Sequence, residues 1–422
     1  MAKKYWLGTV DGVKQVSTCT VTAFDVATTY KLTVGVAPNT RTVSAVGNTS
    51  TTVTATDLTA AWNASTNPYF TPVTASSVGA VITLTSDDGG LPFTVASSVT
   101  GGTGTISAIS TTTTATGPNF WDNASNWSDG VVPVSTDDVI IADSAINIMH
   151  GLDQSAVALT SLTIFKSYTG KIGLDYRAVA TKPDGATTDA TEAEYRGIYL
   201  KIGTAKLDIG ENFAKGAPAG SARLLIDLGS VTASTVEIFG TASASDSTGR
   251  SAVRLKAAVA TTDLFVRSAP GGVGLAAEIP GETSTVRDIV VNDQSGTSQV
   301  RIGEGTTLTN WKQNGGTNFL EKSSGTVTTL DMDGGTLTTE GVFQITTANL
   351  RQGTLNMNNT HGTASIVTLN HKGGTLNTLG TGESRTITTY NPEPGSTIVA
   401  DGQKLTITNY NEPTRPFTYV MT

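Results

Sequence analysis

Residues 308–379 carry one phrase four times: LTNWKQNGGTNFL (308–320), TLDMDGGTLTTE (329–340), NLRQGTLNMNN (349–359) and TLNHKGGTLNTL (368–379). Each copy is an apolar run, a Gly-Thr or Gly-Gly-Thr corner, and a second apolar run. The corner glycines are Gly316, Gly335, Gly353 and Gly374, at intervals of 19, 18 and 21 residues. A near-constant interval of about 20 residues marks a stacked repeat. Apolar residues alternate about the corners, as in Leu330 and Met332, Leu355 and Met357, and Leu369. That two-residue period belongs to strands with one buried face, and helical spacing is absent. Leucine-rich repeats have a similar length but need a Leu-Asn consensus and a second element per repeat, and neither occurs. The reading is therefore a parallel β-solenoid with glycine at corners that need φ > 0. Threonine suits its sides because β-branched residues favour strands. Its crossovers are expected to be right-handed.

Composition agrees with an all-β chain. Of 422 residues only 15% are charged, and Gly alone contributes 45. The net charge of −8, with no basic run, argues against a nucleic-acid partner. The single cysteine, Cys19, excludes an internal disulfide and reads as a small buried hydrophobe. The opening MAKKYWLGTVDG lacks the apolar run of a secretory signal. No stretch approaches the roughly 18 apolar residues of a spanning helix, so no membrane partner is expected.

Residues 1–115 read as a first module, small, β-sandwich-like and α+β, with an attachment role. Strands are expected at Tyr30–Val36, 41–46, 73–76, 80–85 and 93–99, with turn chemistry at Ala37-Pro38-Asn39-Thr40. One helix is expected from Thr56 to Ser65, capped by Thr56, with Leu58, Ala61 and Trp62 on one face. The helix carries Leu58, Ala61, Asn63 and Ala64. Ala80–Thr85 follows as AVITLT, and then Gly90, Pro92, Phe93, Thr94 and Val95. This order resembles a module of tailed-phage virion proteins over about a quarter of the chain.

Residues 100–118, rich in Gly, Thr and Ser, read as a linker or as a surface strand plus loop. Residues 116–141 are taken as linker and solenoid cap. Their core is NFWDNASNWSDGVVPVSTDDVII, in which Trp121 and Trp127 precede Gly130, Pro133, Asp137 and Asp138. The pattern resembles the entry segment of bacterial surface and phage β-solenoid proteins, where it caps the open end. A first coil has an uncovered apolar section and an unpaired edge, which large aromatics can cover. A sugar-stacking role for the two tryptophans is the alternative. Asp137 and Asp138 read as an exposed turn pair, with Ca²⁺ ligation as the alternative.

Residues 142–410 are assigned to the parallel β-helix, with a charged insertion at 175–196 and a second irregular stretch at 268–284. The insertion reads as a solvated loop or as an arm touching a neighbouring subunit. Residues 411–422 form a tail whose Phe417, Tyr419 and Val420 would cover the far end or dock on a partner.

No catalytic, cofactor-binding or metal set emerges. His150, His361 and His371 read as turn residues, with no carboxylate or thiol completing a metal site. Asp331-Met332-Asp333-Gly334 resembles a calcium loop but lacks its later Glu. No nucleophile elbow or P-loop occurs. Asp227, Glu237, Arg254 and Arg267 are the side chains that could stack as a polysaccharide-cleaving set. The resemblances imply a non-enzymatic phage virion component. It would be a head decoration (cement) protein, or a tail fibre or spike, assembled in the host cytoplasm as a homotrimer. Its partners would be other virion proteins of capsid or tail, and a host surface glycan. A bacterial adhesin or carbohydrate-binding β-helix protein, or a glycan depolymerase, is the alternative.

Overall fold

The computed structural model describes residues 2–36, 39–174, 177–178, 193–194, 198–211, 223–229, 234–242, 251–277, 281–293, 296–321, 325–341, 344–359, 364–379, 384–400 and 404–412. Two compact units emerge. One contains residues 1–7, 127–175 and 197–422, and the other 8–126 with 176–196.

The first unit is the solenoid. Its strands form one 19-stranded sheet whose pairings are parallel. Alternation along each strand sends one set of side chains inward, and parallel register stacks them in columns. One column descends from Val139 through Leu162, Leu207, Val236, Leu264 and Ile289 to Trp311 and Leu330. Ala348, Leu369 and Tyr390 extend it. All are buried. A second sheet face stacks Ile226, Leu255, Leu275, Ile302 and Leu320. Each such aliphatic side chain contributes about 1.5–3 kcal/mol by leaving water. Leu330, Met332, Leu355, Met357 and Leu369 all point inward, as their alternation requires.

The corners are stricter than a turn preference alone. Gly335, Gly353 and Gly374 have φ of +73°, +82° and +75°. A Cβ on Gly353 would lie 2.4 Å from the carbonyl oxygen of Gly335, and one on Gly374 2.7 Å from that of Gly353. The corners therefore stack backbone on backbone, leaving no room for a side chain. Thr306–Glu321, Thr326–Glu340 and Gln344–Asn359 run continuously through these bends. Register slips by a residue or more there.

Residues 8–126 of the other unit form two antiparallel sheets, and Arg177–Ala178 pairs antiparallel with Ala193–Glu194. Val73–Val78, Val81–Ser86, Val16–Ala23 and Thr105–Ile106 form one, with Ser110–Thr113 also paired to Val16–Ala23. Asn39–Val46, Thr29–Val36 and Val95–Thr100 form the other. The Thr- and Gly-rich stretch after residue 100 is thus surface strand and loop rather than free linker. The helix spans Thr51–Asn63, not 56–65, and its N-cap is Ser50, whose hydroxyl accepts from the Val53 amide. Three threonines among its first four residues are poor helix formers. Burial of Thr54, Ala55, Leu58, Thr59 and Trp62 outweighs that preference. The Asn63 side chain closes the far end by bonding both the N–H and the carbonyl of Ala75. Cys19 lies in the core with Tyr30, Leu32, Ile82 and Leu84. Burial pushes its thiol up to about 11.

Candidate functional site: stacked polar ladders

The outward side chains of the solenoid also form columns. Asp331, Asn349, Asn370, Asn391 and Asn411 stack rung upon rung. The amide of Asn349 donates to Asp331 at 2.7 Å, Asn370 to Asn349 at 2.8 Å, and Asn391 to Asn370 at 2.8 Å. Asn411 donates to Asn391 in turn. Every bond runs the same way because the register repeats the same geometry at each rung, and Asp331 ends the chain as pure acceptor.

Beside this ladder the next outward positions carry charge. Arg351 pairs with Asp333 at 2.8 Å, and Lys372 with Glu393 at 3.2 Å. The Asp333 carboxylate holds Arg351 above its ordinary value. Floor and wall together enclose an open polar groove of about 500 Å³ lined by Asn349, Arg351, Asn370, Lys372, Asn391, Pro392, Glu393, Asn411 and Glu412. On the other face Thr317, Thr336, Thr354, Thr375 and Thr397 make a parallel column of hydroxyls.

Earlier rungs add ion pairs to amide bonds such as Asn310 to Asp288 and Asn314 to Asn292. Lys206 meets Asp208 at 2.8 Å, Arg267 meets Glu237 at 3.1 Å, and Arg287 grips Asp263 through Nε and Nη2. The four side chains considered for polysaccharide cleavage therefore divide. Glu237 and Arg267 pair with each other, whereas Asp227 and Arg254 sit on the other sheet face, where Asp227 accepts from the Gly229 amide at 2.9 Å.

The beginning of the solenoid is built by residues far apart in sequence. Lys3–Tyr5 pairs in parallel with Asp138–Ile140 and supplies the first rung. Lys4 stands over Val139, buried, and its ammonium bonds the carboxylate of Asp129 and lies 4.0 Å from Asp137. Asp137 is buried, not exposed as expected, because it also accepts from the Val134 and Ala2 amides. Asp138 accepts from the Ser161 hydroxyl at 2.6 Å. Trp127 packs edge-on against Trp6, ring centroids 5.2 Å apart at 72°. Trp121 falls in the other unit and is buried there. Sequence reading overlooked Trp6 and Lys4. Their signal was the alternation in Lys4-Tyr5-Trp6, too short to stand out.

His371 is not a surface turn residue. It ends the strand Ala364–His371, stacked under Leu350 and fully buried. Its Nε2 lies 3.2 Å from the Gly374 carbonyl and its Nδ1 3.1 Å from the Tyr390 hydroxyl. A carbonyl only accepts, so Nε2 carries the proton and Nδ1 accepts from Tyr390. Burial drives the imidazole down to about 4. His150 is half-buried, and His361 lies outside the described residues. So do most of the 175–196 insertion and the tail beyond residue 412. Among the described residues no group of three His, Cys, Asp or Glu side chains could hold a metal ion.

In comparisons with known proteins, the chain matches no family model, no curated protein and no solved structure.

Proposed function

We propose that this chain is a non-enzymatic structural component of a bacteriophage particle. The favoured role is a head decoration (cement) protein, with a tail fibre or spike as the other virion position, and the assembled form is a homotrimer. One observation carries the reading. Asparagine amides and charged side chains on several outward rungs bond to neighbours one rung away, as amide ladders and ion pairs. Such commitment stiffens a stack and presents a long repetitive surface. It does not leave acids and bases poised around a reacting atom, which catalysis needs. The phage-like order of helix and strands in the first module supports the same reading. There the quoted residues have packing roles: Leu58 is core, and Asn63 ties helix to strand.

The test is reconstitution. Purified full-length chain is added to phage particles lacking it, and co-sedimentation and heat resistance of the particles are measured. Stoichiometric binding that raises the temperature of genome release is the expected result for a cement protein. Failure to bind heads or tails sinks the proposal, as does release of oligosaccharides from a host-surface polysaccharide by the purified chain.

A further inference from the structure

From the two ladders we infer that the Asn column of one copy docks against the Thr column of the next, rung facing rung, to close the oligomer. The inference rests on the trimer reading above and names the surfaces that would make it.

Each ladder amide spends one N–H and one oxygen lone pair along the column. An asparagine has two N–H donors and two lone pairs on its oxygen, so each rung keeps hydrogen-bonding capacity for a partner across the groove. That capacity recurs at the strand spacing of about 4.8 Å. A small ligand engages one or two such rungs. Another parallel stack has the same spacing by construction and engages all of them. A second copy of this chain is such a stack.

The complementary face is present on the same rungs. Asn349 and Thr354 belong to one strand, and Asn370 and Thr375 flank the Gly374 corner. Copies that point the same way therefore bring amide and hydroxyl to equal height at every rung. Contact between two different faces of identical chains is heterologous and closes a ring when the rotation allows. Charge agrees. Arg351 and Lys372 stand in the groove wall already paired with Asp333 and Glu393, so the groove offers both signs to its partner. That suits a neutral, hydroxyl-bearing face better than a polyanion. Among the described residues no aromatic ring lines the groove to stack on a sugar.

Two single-cysteine variants, Asn370→Cys and Thr375→Cys, provide the test. They are co-expressed in full-length chains with different tags, oxidised, and run on a non-reducing gel, with light scattering of the wild type alongside. The native Cys19 is buried and does not compete. The expected result is a trimeric wild type, with crosslinks between the two variants and none within either variant alone. Thr375→Lys should abolish the trimer while circular dichroism stays unchanged. A wild-type trimer that crosslinks only like positions, or not at all, overturns the interface and leaves the trimer standing. A wild-type monomer overturns both. Retention of that monomer on a polysaccharide resin, lost in Asn370→Lys, would assign the groove to a glycan instead.

Discussion

Lys4 and Asp129, 125 residues apart in sequence, form an ion pair that fastens the first strand of the solenoid in place. The lysine side chain is 5% exposed and the aspartate 42% exposed. Between them the chain leaves to build a separate compact unit and then returns. The first and second strands of the solenoid are thus neighbours in space and distant in sequence. Lys4 fills a rung that apolar side chains occupy further down, and Asp137 would be buried without its cation if Lys4 were removed.

Lys4→Ala is expected to lower the melting temperature by several degrees, because it strands the buried Asp137 carboxylate. Lys4→Ala combined with Asp137→Asn should recover part of the loss. The Lys4 bond holds the Asp129 carboxyl below its ordinary value. A depressed carboxylate stabilises the fold above its unfolded pKa, and that share is lost as pH falls through the lower folded value. Acid below about pH 4 should therefore release the first strand. Hydrogen exchange at residues 3–5, compared at neutral and acid pH, measures this. Equal protection at both would refute the latch.

The Trp6–Trp127 pair should appear in a double-mutant cycle. Trp6→Phe and Trp127→Phe, singly and together, are expected to show a coupling of about 0.5–1.5 kcal/mol in urea unfolding. Purely additive losses would mean that the edge-on contact contributes nothing beyond burial.

Two substitutions in one strand probe its register and its corner. Leu355 is fully buried, so Leu355→Asp should cost several kcal/mol through an unpaired interior charge. Gly353→Ala places a methyl on the Gly335 carbonyl at φ +82° and should cost about 1–3 kcal/mol. Gly395→Ala, at φ +95° with nothing near its Cβ, should cost less. Equal effects at the two glycines would show that backbone stacking does not constrain the corner.

His371 should give the fold a pH dependence of known sign. Its folded pKa, about 4, lies below the ordinary value of 6.5. The unfolded chain therefore binds the extra proton first as pH falls from 6.5. The share of stability that His371 contributes is full above pH 6.5, falls as pH drops toward 4, and levels off below. His371→Leu removes this slope. Urea midpoints at pH 7 and pH 5, compared between wild type and variant, are the measurement, and parallel shifts would show that the imidazole is not buried neutral.

Read in one dimension, the repeats at residues 308–379 determined the solenoid. A fixed interval, two-residue alternation and glycine at the bends are local facts, and parallel stacking is the arrangement that satisfies them together. They also determined which of Leu330, Met332, Leu355, Met357 and Leu369 point inward, because strand alternation admits two choices and only one buries them. Even the helix was visible through Leu58 and Trp62, although its start shifted to Ser50, since packing outweighs the weak propensity of three threonines. The tertiary structure alone decided the rest. Only in three dimensions does Lys3–Tyr5 become a solenoid strand, because its partner is set by a register more than a hundred residues away. Burial of His371 depends on the column of Leu350 above it and Tyr390 beside it. The asparagine ladder was hidden for the same reason. Asn349, Asn370, Asn391 and Asn411 are isolated polar residues in sequence, and only stacking at equal height turns them into one hydrogen-bonded chain.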